Sequence, residues 1–272
     1  DKQSVTLTAN KTLYAMWTQA ETVLSNSWYT KMGLTQSAVT KIVFEEVDLL
    51  DMANGTTIFD ISDSNNGAVT GEINNGVVVI KALALIKAPS SCNGLFQNFA
   101  NVTEIDFTNF AVTNSVTNMY SMFSGCSALI SLDLSGWDTS NVEDMSLMFL
   151  DCSELTTITG LNGWDTAYVY DMSYMFSGCS ELTALDLSSW KPAPDSYDGL
   201  DLDHMFYGCS SLISLDVSKF REIWKTTKIV RMVHLKSALI TYLLINNSVE
   251  IYATIVQLQK LLYGECSRLS RY

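Results

Sequence analysis

The string Met-Phe-x-x-Cys recurs at Met122-Phe123 with Cys126, Met148-Phe149 with Cys152, Met175-Phe176 with Cys179 and Met205-Phe206 with Cys209. A chain that repeats itself must fold into units that stack, because no single unit can cover its own apolar side. The cysteines lie 26, 27 and 30 residues apart, and a degenerate copy with Leu95-Phe96 and Phe99 stands 27 residues before Cys126. Five units therefore occupy residues 92–220.

Within a unit two periodicities alternate. Leu132 and Leu134 alternate with Ser131, Asp133 and Ser135, a period of two that predicts a strand with leucines inside and polar residues outside. Met145, Met148, Phe149 and Cys152 fall at i, i+3, i+4 and i+7, which predicts one face of a short helix. An aromatic corner follows each strand, at Phe110, Trp137, Trp164, Trp190 and Phe220. These elements predict an α/β repeat solenoid of leucine-rich-repeat-like form. Each 26–30-residue coil would hold one strand and one short helix, with the strands in a parallel sheet.

Segments such as Leu132-Asp-Leu-Ser-Gly-Trp-Asp-Thr-Ser-Asn-Val142 and Met172-Ser-Tyr-Met-Phe-Ser-Gly-Cys179 resemble the repeat of BspA-like leucine-rich-repeat bacterial surface proteins. Val5-Thr-Leu-Thr-Ala-Asn-Lys-Thr-Leu-Tyr-Ala-Met-Trp17 resembles the last strand of the β-grasp B-repeat of internalin-type proteins. The expected organisation is a B-repeat fragment at 1–20, a β-rich cap at 21–91, the repeats at 92–220 and an atypical basic segment at 221–272. The resemblance implies a secreted or cell-surface bacterial protein that binds a host or neighbouring-cell protein or glycan, without cofactor or enzyme activity. Three departures stand out: Ile158-Thr-Gly-Leu161 in the third unit, Lys191-Pro-Ala-Pro194 after the fourth, and the end of the pattern at Phe220.

Charge is divided unevenly, since residues 1–218 hold 7 Lys/Arg against 26 Asp/Glu while residues 219–272 hold 9 against 3. The acidic body argues against nucleic-acid binding, which needs cations to displace phosphate counterions. His234 and Lys236 interrupt the best apolar run, Met232 to Ile245, so no spanning helix is predicted. The start at Asp1, with no initiator Met or signal core, reads as an excised piece, and the tail reads as a terminal cap or a frame-shift product.

Chemistry is sparse. One cysteine per unit at one inward position predicts a column of buried thiols; no Cys-x-x-Cys pair exists, and with only His204 and His234 a zinc site is not expected. Cys92 and Cys266 stand outside that column. Trp137-Asp138 and Trp164-Asp165 are too closely spaced for propeller blades, and Asp195 to Asp203 lacks the spacing and closing Glu of a calcium loop. His204 reads as an exposed variant of a repeat position, and no nucleophile or phosphate-loop motif is found. A glycan-active carboxylate pair would need a pocket, which regular coils are not expected to offer.

The outward strand positions are the candidate partner-binding face: Asp106, Ser131, Asp133, Ser135, Thr159, Asp186, Ser188 and Asp216. The expected function is a monomeric, non-enzymatic surface-binding module for adhesion or protein recognition. The alternative is a structural stalk that presents another domain.

Overall fold

The computed structural model describes residues 2–7, 11–16, 22–48, 51, 59–191 and 200–216. The predicted tail, Cys266 and the corner Phe220 lie outside the described residues. Near the start, β1 (Lys2–Leu7) and β2 (Lys11–Met16) form an antiparallel hairpin where one closing strand was expected.

The leading region is β-rich, as its valine and isoleucine runs require. It comprises α1 (Trp28–Lys31), β3 (Lys41–Glu46), β4 (Phe59–Asp60), β5 (Val69–Asn74), β6 (Val77–Ala82) and β7 (Ile86–Lys87). Asn75 and Gly76, with φ of 48° and 83°, make the two-residue turn that joins β5 to β6 with the twist a hairpin needs. β3 lies parallel to β6 on one side and to β8 (Glu104–Asp106), the strand of the first repeat, on the other. One five-stranded sheet, in the order β4-β5-β6-β3-β8, thus runs from the leading region into the repeats.

The junction explains why Phe99 stands where later units have cysteine. Its ring stacks on buried Trp28 with centroids 5.4 Å apart, and the Trp28 indole N–H donates to the Leu95 carbonyl. A small thiol there would leave the indole face bare.

Beyond β8 come β9 (Phe110–Ala111), β10 (Ser131–Asp133), β11 (Thr157–Thr159), β12 (Ala184–Asp186) and β13 (Ser214–Asp216). β10 pairs with β11 and β12 with β13, both parallel, but β11 and β12 share no ladder. The break falls at the departing third unit, where Gly160 takes a φ of 88° and leads into a short 3-10 turn, Leu161–Gly163.

The expected α/β leucine-rich-repeat-like solenoid, with a helix in every coil, is overturned. The described repeats contain no α-helix, and the strands are divided among small sheets. The reason lies in the backbone amides. An α-helix sends every N–H to the carbonyl four residues back, whereas here alternate amides go to two different places. Met122, Ser124 and Cys126 donate to Met119, Ser121 and Phe123, closing a chain of tight turns. Met119, Ser121, Phe123 and Gly125 instead donate to Asp144, Ser146, Met148 and Leu150 of the next repeat. Ser121, Leu147, Tyr174 and His204 have φ between 53° and 58°, a left-handed conformation that interrupts any right-handed helix. Linked turns also return to one face every three to four residues, so the methionine spacing fits them as well as it fits a helix.

Side chains at equal repeat positions fall into columns. Phe96, Phe123, Phe149, Phe176 and Phe206 stack with centroids 5.4 to 5.8 Å apart. Trp137, Trp164 and Trp190 do the same at 6.3 and 6.1 Å, and all are buried. Cys92, Cys126, Cys152, Cys179 and Cys209 are buried free thiols.

Candidate functional site

Alternate residues of the repeat strands face water at the positions singled out from the sequence. Ser131, Asp133, Ser135, Thr159, Asp186 and Asp216 are exposed, while Asp106 and Ser188 are half-buried. They do not form one uninterrupted row, because the ladder stops between Thr159 and Asp186.

The strand aspartates have a local task that alternation alone did not reveal. Asp133 accepts the Ser135 N–H at 3.0 Å, Asp186 accepts the Ser188 N–H at 3.0 Å, and Asp106 accepts both the N–H and the hydroxyl of Thr108. Each carboxylate therefore ends its strand by capping the turn that follows, as short polar side chains do. Between repeats, the Thr159 hydroxyl donates to Asp133 at 2.9 Å. Hydrogen bonds from Ser135 hold the Asp133 carboxyl below the usual carboxylate range, and those from Ser188 and Thr108 do the same for Asp186 and Asp106. The face consequently carries fixed, ionised carboxylates near neutral pH.

The Lys41 charge acts on Asp106, whereas Asp133 and Asp186 have no cation in their own stretch of sequence. Residues 88–190 contain twelve Asp/Glu and no Lys, Arg or His. Two exposed isoleucines, Ile130 (51%) and Ile213 (72%), precede β10 and β13 and add apolar surface to the same edge. Comparing repeat positions exposes this signal, since Thr156 and Thr183 occupy the equivalent places.

A second acidic row escaped the sequence reading. Asn118, Asp144, Asp171 and Asp201 are joined one to the next by parallel bridges. Asp144 and Asp171 each accept the N–H of the serine two residues on, and Asn118 Nδ2 donates to Asp144 Oδ2 at 3.4 Å. Burial, followed by the neighbouring charges of Asp144 and Asp201, outweighs the Ser173 hydrogen bonds and raises the Asp171 pKa. The residue before each Met-x-x-Met-Phe was the available clue.

His204 is half-buried rather than exposed. It stacks on Tyr174 with centroids 4.7 Å apart, and its Nδ1 is buried without a hydrogen-bond partner among the described residues. No group of three or more His, Cys, Asp or Glu among the described residues is placed to hold a metal ion. A cavity of about 660 Å³ opens where the leading region meets the first repeats, between Asn26, Asp63, Lys87, Ser91, Thr113 and Ser115. No helix among the described residues is long and apolar enough to cross a membrane.

No curated protein and no solved structure matches the chain. The expected kinship with BspA-like leucine-rich-repeat proteins is corrected by a different family match, and the terms leucine-rich repeat and solenoid go with it. The model of the family described as "Mycoplasma protein of unknown function, DUF285" matches residues 90–212 and 156–239, more than half of the chain between them, and the chain belongs to that family.

Proposed function

We propose that the chain is a non-enzymatic binding module that recognises a basic protein surface through the exposed edge of its repeat strands. The observation that carries this reading is the set of ionised, hydrogen-bond-anchored carboxylates on Asp106, Asp133 and Asp186, in a stretch of 103 residues with no cation. Anchored charges lose little side-chain entropy on binding, and an unbalanced field draws in a partner of opposite sign. Ile130 and Ile213 supply the apolar contacts that hold a partner once it has arrived. The proposal includes a place at the cell surface, for which buried thiols are suited because an oxidising medium cannot reach them.

The test is binding of the full chain to a panel of extracellular matrix proteins, mucins and glycans at low and physiological salt, with the charge-reversed Asp133→Lys/Asp186→Lys chain beside it. A protein hit that weakens with salt and is lost on charge reversal supports the module. Indifference to the reversal overturns it. That outcome favours the structural stalk, a reading consistent with the evenly stacked Phe column from Phe96 to Phe206.

A further inference from the structure

Exposed tyrosines are concentrated in one part of the repeats. Tyr168 is 68% exposed, Tyr170 49% and Tyr174 37%, all in the fourth repeat, and Tyr207 of the fifth is 48% exposed. The same positions in earlier repeats hold no aromatic residue. Ser115 and Asn141 precede Tyr168, Thr117 and Glu143 precede Tyr170, and Ser121 and Leu147 precede Tyr174. Since those earlier repeats fold with the smaller residues, stacking does not require the tyrosines.

Backbone pairing ties this patch to the second acidic row. Asp201 donates its N–H to the Tyr170 carbonyl and is bridged to Asp171, while Tyr174 donates its N–H to Asp203. The Tyr174 ring stacks on His204, which meets Tyr207 edge-on at 5.7 Å. Exposed tyrosines thus share paired backbone with the carboxylate row, in a region whose basic residues are Lys191 and His204.

We propose that Tyr168, Tyr170 and Tyr174, with Asp171 and Asp201, form a second recognition edge that binds an extended, arginine-bearing segment of a partner protein. Arginine fits both halves of the surface, since its planar guanidinium stacks on aromatic rings and pairs with carboxylates through paired N–H groups. Tyrosine is also a residue type in which interfaces concentrate binding energy. This edge is independent of the strand edge invoked above, and the two can fail separately.

The experiment titrates the full chain into a fluorescein-labelled ten-residue Arg-Gly peptide, with Lys-Gly and Glu-Gly peptides as controls, and follows anisotropy. The variant carries Tyr168→Ser, Tyr170→Thr and Tyr174→Ser, the residues that Ser115, Thr117 and Ser121 already place in the same positions. The expected result is binding that prefers arginine to lysine and weakens about tenfold in the variant, a loss consistent with removing cation–π contacts of modest individual strength. Asp133→Lys/Asp186→Lys leaves the tyrosine dependence in place. Unchanged arginine-peptide binding in the tyrosine variant, no preference for arginine, or concentration-dependent self-association that the variant abolishes would each overturn the proposal, the last by making a second copy of the chain the occupant.

Discussion

The thiol of Cys152 donates a hydrogen bond to the carbonyl oxygen of Phe123, 3.2 Å away in the preceding repeat. The same link joins Cys126 to Phe96, Cys179 to Phe149 and Cys209 to Phe176 at 3.0 to 3.1 Å. Thiol column and phenylalanine column are therefore one device. Each Phe ring stacks on the next, and the carbonyls of Phe96, Phe123, Phe149 and Phe176 each accept from the thiol one repeat along.

Cys152→Ala should cost about 1–2 kcal/mol, from the lost hydrogen bond and the small void left behind. The urea midpoint of the full chain checks this. Burial pushes the Cys126 and Cys209 thiols up to about 12, and raises those of Cys152 and Cys179 well above their ordinary value. Iodoacetamide at pH 8 should leave all four unmodified in the folded chain and alkylate them in urea, as read by mass spectrometry.

Gly160 and Gly136 both have positive φ, at 88° and 78°, yet they should respond differently to alanine. A Cβ on Gly136 meets nothing within 4 Å, so Gly136→Ala should cost only the conformational penalty of about 1–2 kcal/mol. On Gly160 it would run into the backbone of Leu134 and Ser135, which cannot swing aside. Gly160→Ala should lower the thermal midpoint by at least twice as much as Gly136→Ala, and equal shifts would contradict the close approach described here.

Asp171→Asn should stabilise the chain at pH 7 and make no difference at pH 3. A carboxyl whose pKa is raised by folding favours the folded state while protonated. That contribution is present below the unfolded value and lost as pH rises through the folded one. Asparagine keeps an oxygen for the Ser173 N–H and removes the repulsion from Asp144 and Asp201, and Asn118 already serves this way at the head of the row. Asp133→Asn should behave oppositely, because a lowered pKa gives stability that is present at neutral pH and lost as pH falls through the folded value. Denaturation midpoints measured from pH 3 to 7 separate the two cases.

Much of the repeat was legible in the residues themselves. The period placed Cys126, Cys152, Cys179 and Cys209 in equivalent buried positions, and the Leu132–Asp133–Leu134 alternation placed aspartate outside and leucine inside. The helix was not legible, because Met145, Met148, Phe149 and Cys152 satisfy the spacing of a helix and of linked turns alike. The left-handed backbone at Leu147 and the amides that reach the next repeat distinguish them, and leucine does not announce such a conformation. The candidate face was half legible. Exposure of Asp133 and Asp186 followed from alternation, but their capping of Ser135 and Ser188 depends on where the chain turns next.

By itself the sequence determined the unit length, the inward and outward sides of each strand, and the absence of cations from residues 88–190, because these follow from order and composition. Tertiary structure decided which amides pair within a turn and which reach the next repeat, where the strand ladder breaks at Gly160, and which tyrosines and aspartates become neighbours. Those outcomes rest on contacts between residues about 26 to 30 positions apart, and stacking, not local preference, selects them.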